Sequence, residues 1–520
     1  MGIFTAALVM LAAASCEKNE VLPDNNTNGK VITLKATINT GETKTSLGDK
    51  GTNGYPVLWS EGDAIAVINN GKIFKFEYKG TEAVSAVEFT MADDQPAGTT
   101  PENFDASAEI KAFYPYDGVT RGGAEYNIPT KQTYAVNSFG NGASPMAAYR
   151  AEGSNGALDF QNLFGALKLQ IKGMEDENVQ SIEIESSNKI AGPAYFDVNQ
   201  TNQAFSLKID IAGGDAKNCV TLKCEGEGVS INETTDFIIA LHPNANHLKI
   251  KIYTNKAVYY RTIDRDNIIT AGTILKMAEL ADMAPAYIDE RGIYQGDGIK
   301  VSGIIWAPVN CGYEPADGEY KGYPYGKLYQ WGRKYGQGYN STYDATTPEI
   351  YTAEPVTLDV GQSESNMNVL FRNFKDWLSS PDDELWNSGT EKSPEKTVYD
   401  PCPNGWRVPT KGELSNLCQN RSSWTTNAAG QQGFWFSGAT SYTQEVPQVF
   451  FPAAGYHHYL ADPAQGRGYN GNYWSSIAYQ GDNSAWNLSI HPGSDMDVES
   501  AEINNSCFRA NGYSVRCVKE

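Results

Sequence analysis

Eight cysteines and five histidines supply the nucleophile and metal-ligand chemistry of this 520-residue sequence. No two cysteines form a Cys-x-x-Cys pair and none clusters with a histidine, which argues against a tetrahedral zinc site. Nucleophilic catalysis needs Ser or Cys beside a His that a carboxylate holds. His242, His247, His457, His458 and His491 lie near no Gly-x-Ser-x-Gly elbow, so no enzyme activity is expected. His457 and His458 are adjacent, and adjacent side chains on a strand point to opposite faces. Asp495, Asp497 and Glu499 alternate and would share one face of a strand. Oxygen ligands at that spacing suit calcium. A solvated acidic edge that discourages strand pairing is the better explanation, and no cofactor is expected. Trp486-Asn487-Leu488 lacks the acid that a sugar-binding calcium triplet would carry. The remaining candidates are Tyr456, His457, His458, Tyr459, Arg467, Tyr469, Asn470 and Tyr473, which set aromatic rings beside amides and a guanidinium. That mixture suits a sugar or a protein epitope, although core and rim packing of a loop-rich fold would use the same residues.

The elements that position these residues follow from composition. The length implies two or three domains. Tyr (30), Phe (19), Trp (10) and Gly (50) are abundant, favouring short strands joined by tight turns. The net charge of −21 argues against nucleic acid as a partner. Residues 3–14 form an apolar run too short to span a bilayer. It ends in Ala13-Ala14-Ser15-Cys16, which resembles a bacterial lipobox. Cys16 would then carry acyl chains and anchor the protein to the outer membrane, surface-exposed. Setting Cys16 aside leaves an odd number of cysteines, so at least one thiol stays free or pairs between molecules. Cys219 and Cys224 are close enough in sequence for a hairpin disulfide.

In chain order, residues 1–16 read as a signal peptide and 17–30 as a polar tether. From Val31 to Ile38 the pattern alternates strictly, as in a half-buried strand. Val57 to Ile68 reads as strand, turn, strand, and Phe74 and Phe76 share one face of the next strand. Short strands punctuated by Gly, Asn and Asp continue to residue 283. Residues 284–298 read as a linker. Beyond it the composition shifts: all tryptophans except Trp59 lie there. Leu370, Phe371, Phe374 and Leu378 are spaced for one face of a helix over 363–379. Thr410 and Glu413 have the spacing of a capping box, so a short helix starts there.

Two families are resembled. "KTSL…LWSEGDAIAV", "AFYPY" at 112–116, "SPMAA" at 144–148, "LDFQNLFGALKLQI" at 158–171 and "IIALHP" at 238–243 look like the fimbrillin family of Bacteroidetes pilins and surface proteins. "DPCPNGWRVPT" at 400–410, with "GKLYQWG" at 326–332, "YWSS" at 473–476 and "VRCV" at 515–518, resembles the Fibrobacter succinogenes major paralogous domain, which is similar to C-type lectins. The resemblances imply a mostly β fold. Two transthyretin-like antiparallel β-sandwiches, at 31–157 and 158–283, would precede an α+β C-type-lectin-like domain at 299–520. Cys402 and Cys517 are the natural disulfide to close that domain, stabilising it by ~4–5 kcal/mol in the chain-entropy model. The implied role is a cell-surface adhesin, a fimbrial tip subunit. It would join other fimbrial subunits by donor-strand exchange, and its head would bind a glycan or a surface protein. A stand-alone surface lipoprotein that never polymerises is the alternative. An enzyme on a formylglycine-generating-like fold is a more distant one.

Overall fold

The computed structural model describes residues 31–38, 46–47, 57–120, 125–140, 142–198, 205–210, 214–266, 269–340, 346–351, 354–419, 421–437, 447–460, 464–480, 483–493 and 500–520. The residues expected to form a signal peptide and a tether, the expected lipidation residue Cys16 and the Asp495–Asp497–Glu499 run lie outside them. Among the described residues no helix is long and apolar enough to cross a membrane.

The first unit is a closed barrel. Its strands, in spatial order, are Thr33–Ile38, Leu158–Asn162, Met146–Arg150, Ile110–Tyr114, Ala64–Asn69, Lys72–Glu77 and Ala86–Met91, the last returning to the first. The expected pair of open sheets is here one sheet rolled shut, which leaves no unpaired edge. Alternation does the work: Leu34, Ala36 and Ile38 point in while their neighbours face water. Trp59 anchors the core, packed edge-on against Phe89 at 4.9 Å, Phe160 at 5.1 Å and Tyr114 at 5.5 Å. The turn after Trp59 is closed by Asp63, which accepts from the Ser60 amide at 2.7 Å and the Tyr114 hydroxyl at 2.9 Å. Gly62 takes φ +82° in that turn, a conformation that favours glycine.

The second unit buries a larger aliphatic core that includes Leu167, Leu169, Ile182, Ile184, Ile250 and Ile252. One sheet runs through Lys131–Ala135, Cys219–Lys223, Asn178–Glu185, Leu248–Thr254 and Val258–Ile263. Another joins Thr235–Leu241, Gly165–Ile171 and Ile274–Lys276. The chain does not divide at residue 157. Strands Glu125–Ile128 and Lys131–Ala135 pair with Gly192–Val198 and Cys219–Lys223 of the second unit, while Leu158–Asn162 completes the barrel of the first. The Gln132 side chain fixes this crossover by bonding both the amide and the carbonyl of Ala240, at 3.0 and 2.7 Å. Cys219 and Cys224 are both free thiols. They bracket one strand at odd separation, so they start from opposite faces and no hairpin disulfide forms.

The stretch read as a linker is a hairpin. Ala286–Ile288 pairs with Tyr294–Asp297, and Tyr287 is buried in the core of the C-terminal unit. Its outer side docks on the second unit through Tyr260 stacked on Tyr294 at 4.0 Å and an Arg261–Asp297 ion pair at 3.4 Å.

The C-terminal unit has a four-stranded sheet of Ile299–Val301, Ile304–Trp306, Val518–Lys519 and Trp406–Arg407. A five-stranded sheet runs through Leu328–Gln330, Gly512–Ser514, Gly471–Tyr479, Ser484–His491 and Ser500–Phe508. Its eight-residue helix, Lys411–Cys418, starts at the capping box: the Thr410 side chain accepts from the Glu413 amide and the Glu413 carboxylate accepts from the Thr410 amide. Arg407 clamps the same carboxylate with both terminal nitrogens, at 2.6 and 2.8 Å.

The helix expected over 363–379 is absent. A 3-10 turn at Glu364–Asn366 and a strand at Val369–Phe371 stand there instead. The reason is Arg333, a buried guanidinium that draws in the carbonyls of Gly361 at 3.0 Å, Asn366 at 3.0 Å and Val369 at 2.5 Å. Carbonyls turned toward one side chain cannot serve an i→i−4 helix ladder.

Candidate ligand surface

Loop-rich units must satisfy their backbone with side chains, and in the C-terminal unit Arg333, Arg509 and Arg516 join Arg407 as buried arginines that do so. Arg516 donates to Asn310 Oδ1 at 2.8 Å, to the Phe450 carbonyl at 2.9 Å and to the Ala307 carbonyl at 3.0 Å. Burial pushes its guanidinium down to about 10. Arg333 is pushed down to about 9 by the same cause. Arg509 lies over Trp331 at 4.6 Å and pairs with Asp383 and with the buried Asp376 at 3.6 Å. Burial raises the Asp376 carboxyl to about 6.

The Asp400–Thr410 turn is built the same way. Asp400 accepts from the amides of Cys402 at 2.8 Å and Val408 at 2.9 Å, and burial raises its carboxyl to about 7. Lys396 gathers the carbonyls of Cys402, Pro403 and Trp406 at 2.6, 2.9 and 2.5 Å. Cys402 and Cys517 are joined, with Sγ atoms 2.12 Å apart and Cα atoms 5.9 Å apart.

This frame carries the loop that holds the candidate residues. His457 exchanges both backbone hydrogen bonds with Gly512, at 2.9 and 3.0 Å. Its ring turns inward, with Nε2 2.8 Å from the Gly338 carbonyl. Tyr473 is also interior: its hydroxyl donates to the Pro452 carbonyl and its ring packs on Phe451 at 4.7 Å. Neither His457 nor Tyr473 can meet a ligand, because the strand register that seats each backbone sends its ring to the core side. Arg467 is sandwiched between Tyr339 at 3.9 Å and Tyr325 at 4.6 Å, bracing the loop. Asn470 closes a tight turn with Gly466. Tyr469 is 51% exposed and its hydroxyl donates to the Gly493 carbonyl at 3.4 Å. Asn487 is fully buried between strands and bonds Asn472, so it offers no surface ligand.

Tyr459 and His458 reach an exposed aromatic surface. The Tyr459 amide is tied to Asn511 Oδ1 at 3.0 Å, which sets its ring 5.3 Å from Phe508 and 5.9 Å from Phe374. Phe374 and Phe508 are 5.6 Å apart, and His458 lies 4.7 Å from Tyr459 and 6.5 Å from Tyr456. The Lys375 ammonium stands 5.6 Å from both phenylalanine rings. Phe374 is 62% exposed and Leu460 68% exposed, large apolar groups that folding has left in water. Lys375 takes φ +70° and its carbonyl accepts from the Ala510 amide at 3.1 Å, which fixes the Phe374 turn on the turn that follows Ser500–Phe508. Sequence reasoning missed Phe374 and Phe508. The available signal was the polar setting of Phe374, between Asn373 and Lys375-Asp376, which suits an exposed turn better than a buried helix face.

The class that this fold defines is a mostly β chain of two strand-built units followed by a loop-rich, disulfide-closed unit. No protein-family model matches the sequence, and no curated protein does. Among solved structures it is similar to a candidate cell adhesion protein from Bacteroides ovatus, with 12% identity and a TM-score of 0.31 over 48% of this chain and 92% of that one. A fimbrial protein from the same species aligns over 94% of this chain and 99% of its own, with 13% identity and a TM-score of 0.23. The C-terminally truncated tip fimbrial protein Mfa3 of Porphyromonas gingivalis covers 49% of this chain and 96% of its own, with 11% identity and a TM-score of 0.22.

Proposed function

We propose that this chain is a cell-surface adhesin, anchored to the outer membrane through Cys16 and placed at a fimbrial tip, whose C-terminal unit binds a glycan or a surface protein without calcium. The observation that carries the reading is the exposed aromatic surface of Phe374, Tyr459 and Phe508, with Leu460 beside it. Rigid rings present recognition area at low entropic cost, and they lie on a unit whose own stability is supplied elsewhere. The tip position is supported by Val518–Lys519, which is held between Ile304–Trp306 and Trp406–Arg407 in the unit's own sheet. A strand so committed is not free to be passed to a neighbouring subunit.

The test has two arms. The full chain, probed on glycan and surface-protein arrays with and without chelator, is expected to bind reproducibly in both conditions; binding to nothing would remove the adhesin. Electron microscopy of cells with the protein labelled is expected to mark fimbrial ends. Uniform decoration of the membrane without fimbriae would leave a stand-alone lipoprotein.

A further inference from the structure

Beside the Cys402–Cys517 disulfide lies a third sulfur. Cys311 is fully buried, and the ligand atoms of Cys311, Cys402 and Cys517 all lie within 4.8 Å of one another. The backbone keeps them together. The Cys311 amide donates to the Val515 carbonyl at 2.9 Å, and the Ala307 amide donates to the Cys517 carbonyl at 2.8 Å. The Cys311 thiol donates to the Pro401 carbonyl at 3.2 Å, next to Cys402. Two phenols face the group. The Tyr329 hydroxyl donates to Cys311 Sγ at 3.3 Å, and the Tyr287 hydroxyl stands 3.7 Å from Cys517 Sγ.

We propose that Cys311 is a resident exchange thiol, able to take Cys402 from Cys517 and so to release the covalent clasp on the strand Val518–Lys519. The Cys311 thiol gives up its proton, and its sulfur attacks Cys402 Sγ. A Cys311–Cys402 bond forms as the Cys402–Cys517 bond breaks. Cys517 leaves as a thiolate and takes up a proton. One disulfide and one thiol exist before and after, so no outside oxidant or reductant is consumed. Each sulfur that bears charge along this path has a phenol beside it: Tyr329 at the attacking Cys311, Tyr287 at the departing Cys517. In the second isomer the Asp400–Thr410 turn is tied to the Cys311 loop, and Val518–Lys519 is held by its ladder alone.

Burial sets the rate. The apolar surroundings, with the carboxyls of Glu290 and Asp400 adding to them, push the Cys311 thiol up to about 12, against the pull of the Tyr329 and Tyr287 hydroxyls. Only the thiolate attacks, so exchange is slow at neutral pH and speeds up about tenfold per pH unit below that value. The experiment is disulfide mapping by mass spectrometry of the full, folded chain, incubated at pH 7 and pH 10 and quenched with acid and an alkylating reagent. At pH 10 a Cys311–Cys402 peptide is expected to appear beside Cys402–Cys517, with free Cys517 rising in step. Cys311→Ser is expected to hold Cys402–Cys517 alone at both pH values. Cys402–Cys517 alone in the wild-type chain after prolonged incubation at pH 10 would overturn the proposal. Pairs that recruit Cys219, Cys224, Cys418 or Cys507 would overturn it equally, because they report exchange through an unfolded chain.

Discussion

In the barrel, Trp59 packs among three aromatic rings, and its indole nitrogen is buried with no hydrogen-bond partner among the described residues. In the C-terminal unit, Trp331, Trp377 and Trp474 are equally buried, but each indole donates to a backbone carbonyl, of Ser475, Trp331 and Tyr329, at 2.9, 2.7 and 2.7 Å. The difference follows from the backbone. Barrel strands satisfy one another through ladders, so the core needs only volume and fit. In the C-terminal unit, loops, an edge strand and an irregular stretch of Gly471–Tyr479 leave carbonyls outside a ladder, and indoles, guanidiniums and a lysine meet them. Trp306, in a regular ladder, has an indole nitrogen without a hydrogen-bond partner among the described residues, as Trp59 does. The barrel is therefore stabilised mainly by packing, and the C-terminal unit by packing plus a set of buried donors and one disulfide.

That contrast can be broken or sharpened by unfolding measurements that follow the two regions separately. Arg516→Met leaves the Ala307 and Phe450 carbonyls without their donor and is expected to cost about 3–5 kcal/mol in the C-terminal unit. The barrel transition should not move; an equal shift in both would erase the distinction. Phe74→Ala is the converse case, removing a fully buried ring that packs on Phe104 at 5.2 Å. Its expected cost is about 3–4 kcal/mol, in the barrel alone. Reducing Cys402–Cys517 is expected to lower only the C-terminal transition, by about 4–5 kcal/mol. A barrel that melts earlier in reductant would contradict this.

A pH dependence tests the same unit. The folded Asp400 carboxyl keeps its proton to about 7, and Asp376 to about 6, whereas an unfolded Asp releases it near ~4. The folded state therefore binds protons more tightly. The stability this gives is complete below pH ~4, declines as pH rises and is lost above about 7. Asp400→Asn should flatten the decline in the C-terminal unit between pH 4.5 and 7.5, as read from urea midpoints. An unchanged slope would show that Asp400 does not carry it.

Ladders are also why one part of the chain was legible in its sequence and another was not. Leu34, Ala36 and Ile38, or Phe74 and Phe76, announce their face by alternation, and Thr410 with Glu413 announces a helix start. The crossover of residues 125–135 into the second unit was not legible. It rests on pairings such as Lys131 with Thr221, which no local pattern encodes. Leu370, Phe371, Phe374 and Leu378 imitated a helix face, but they share none: Leu370 and Leu378 are buried, Phe371 lies against Arg333 at 4.8 Å, and Phe374 is exposed beside Tyr459 and Phe508. Within the candidate surface, Tyr459 and His458 could be picked out as aromatic loop residues. The inward turn of His457 depends on the carbonyl of Gly338, more than a hundred residues away in sequence.

The account stands or falls on whether recognition and stability occupy separate residues in the C-terminal unit. The direct measurement is Phe374→Ala with Tyr459→Ala in the full chain, assayed for array binding and thermal unfolding on the same preparation. The predicted result is loss of binding by tenfold or more, about 1.4 kcal/mol, with the C-terminal transition in place. Undiminished binding by a folded double variant would contradict it.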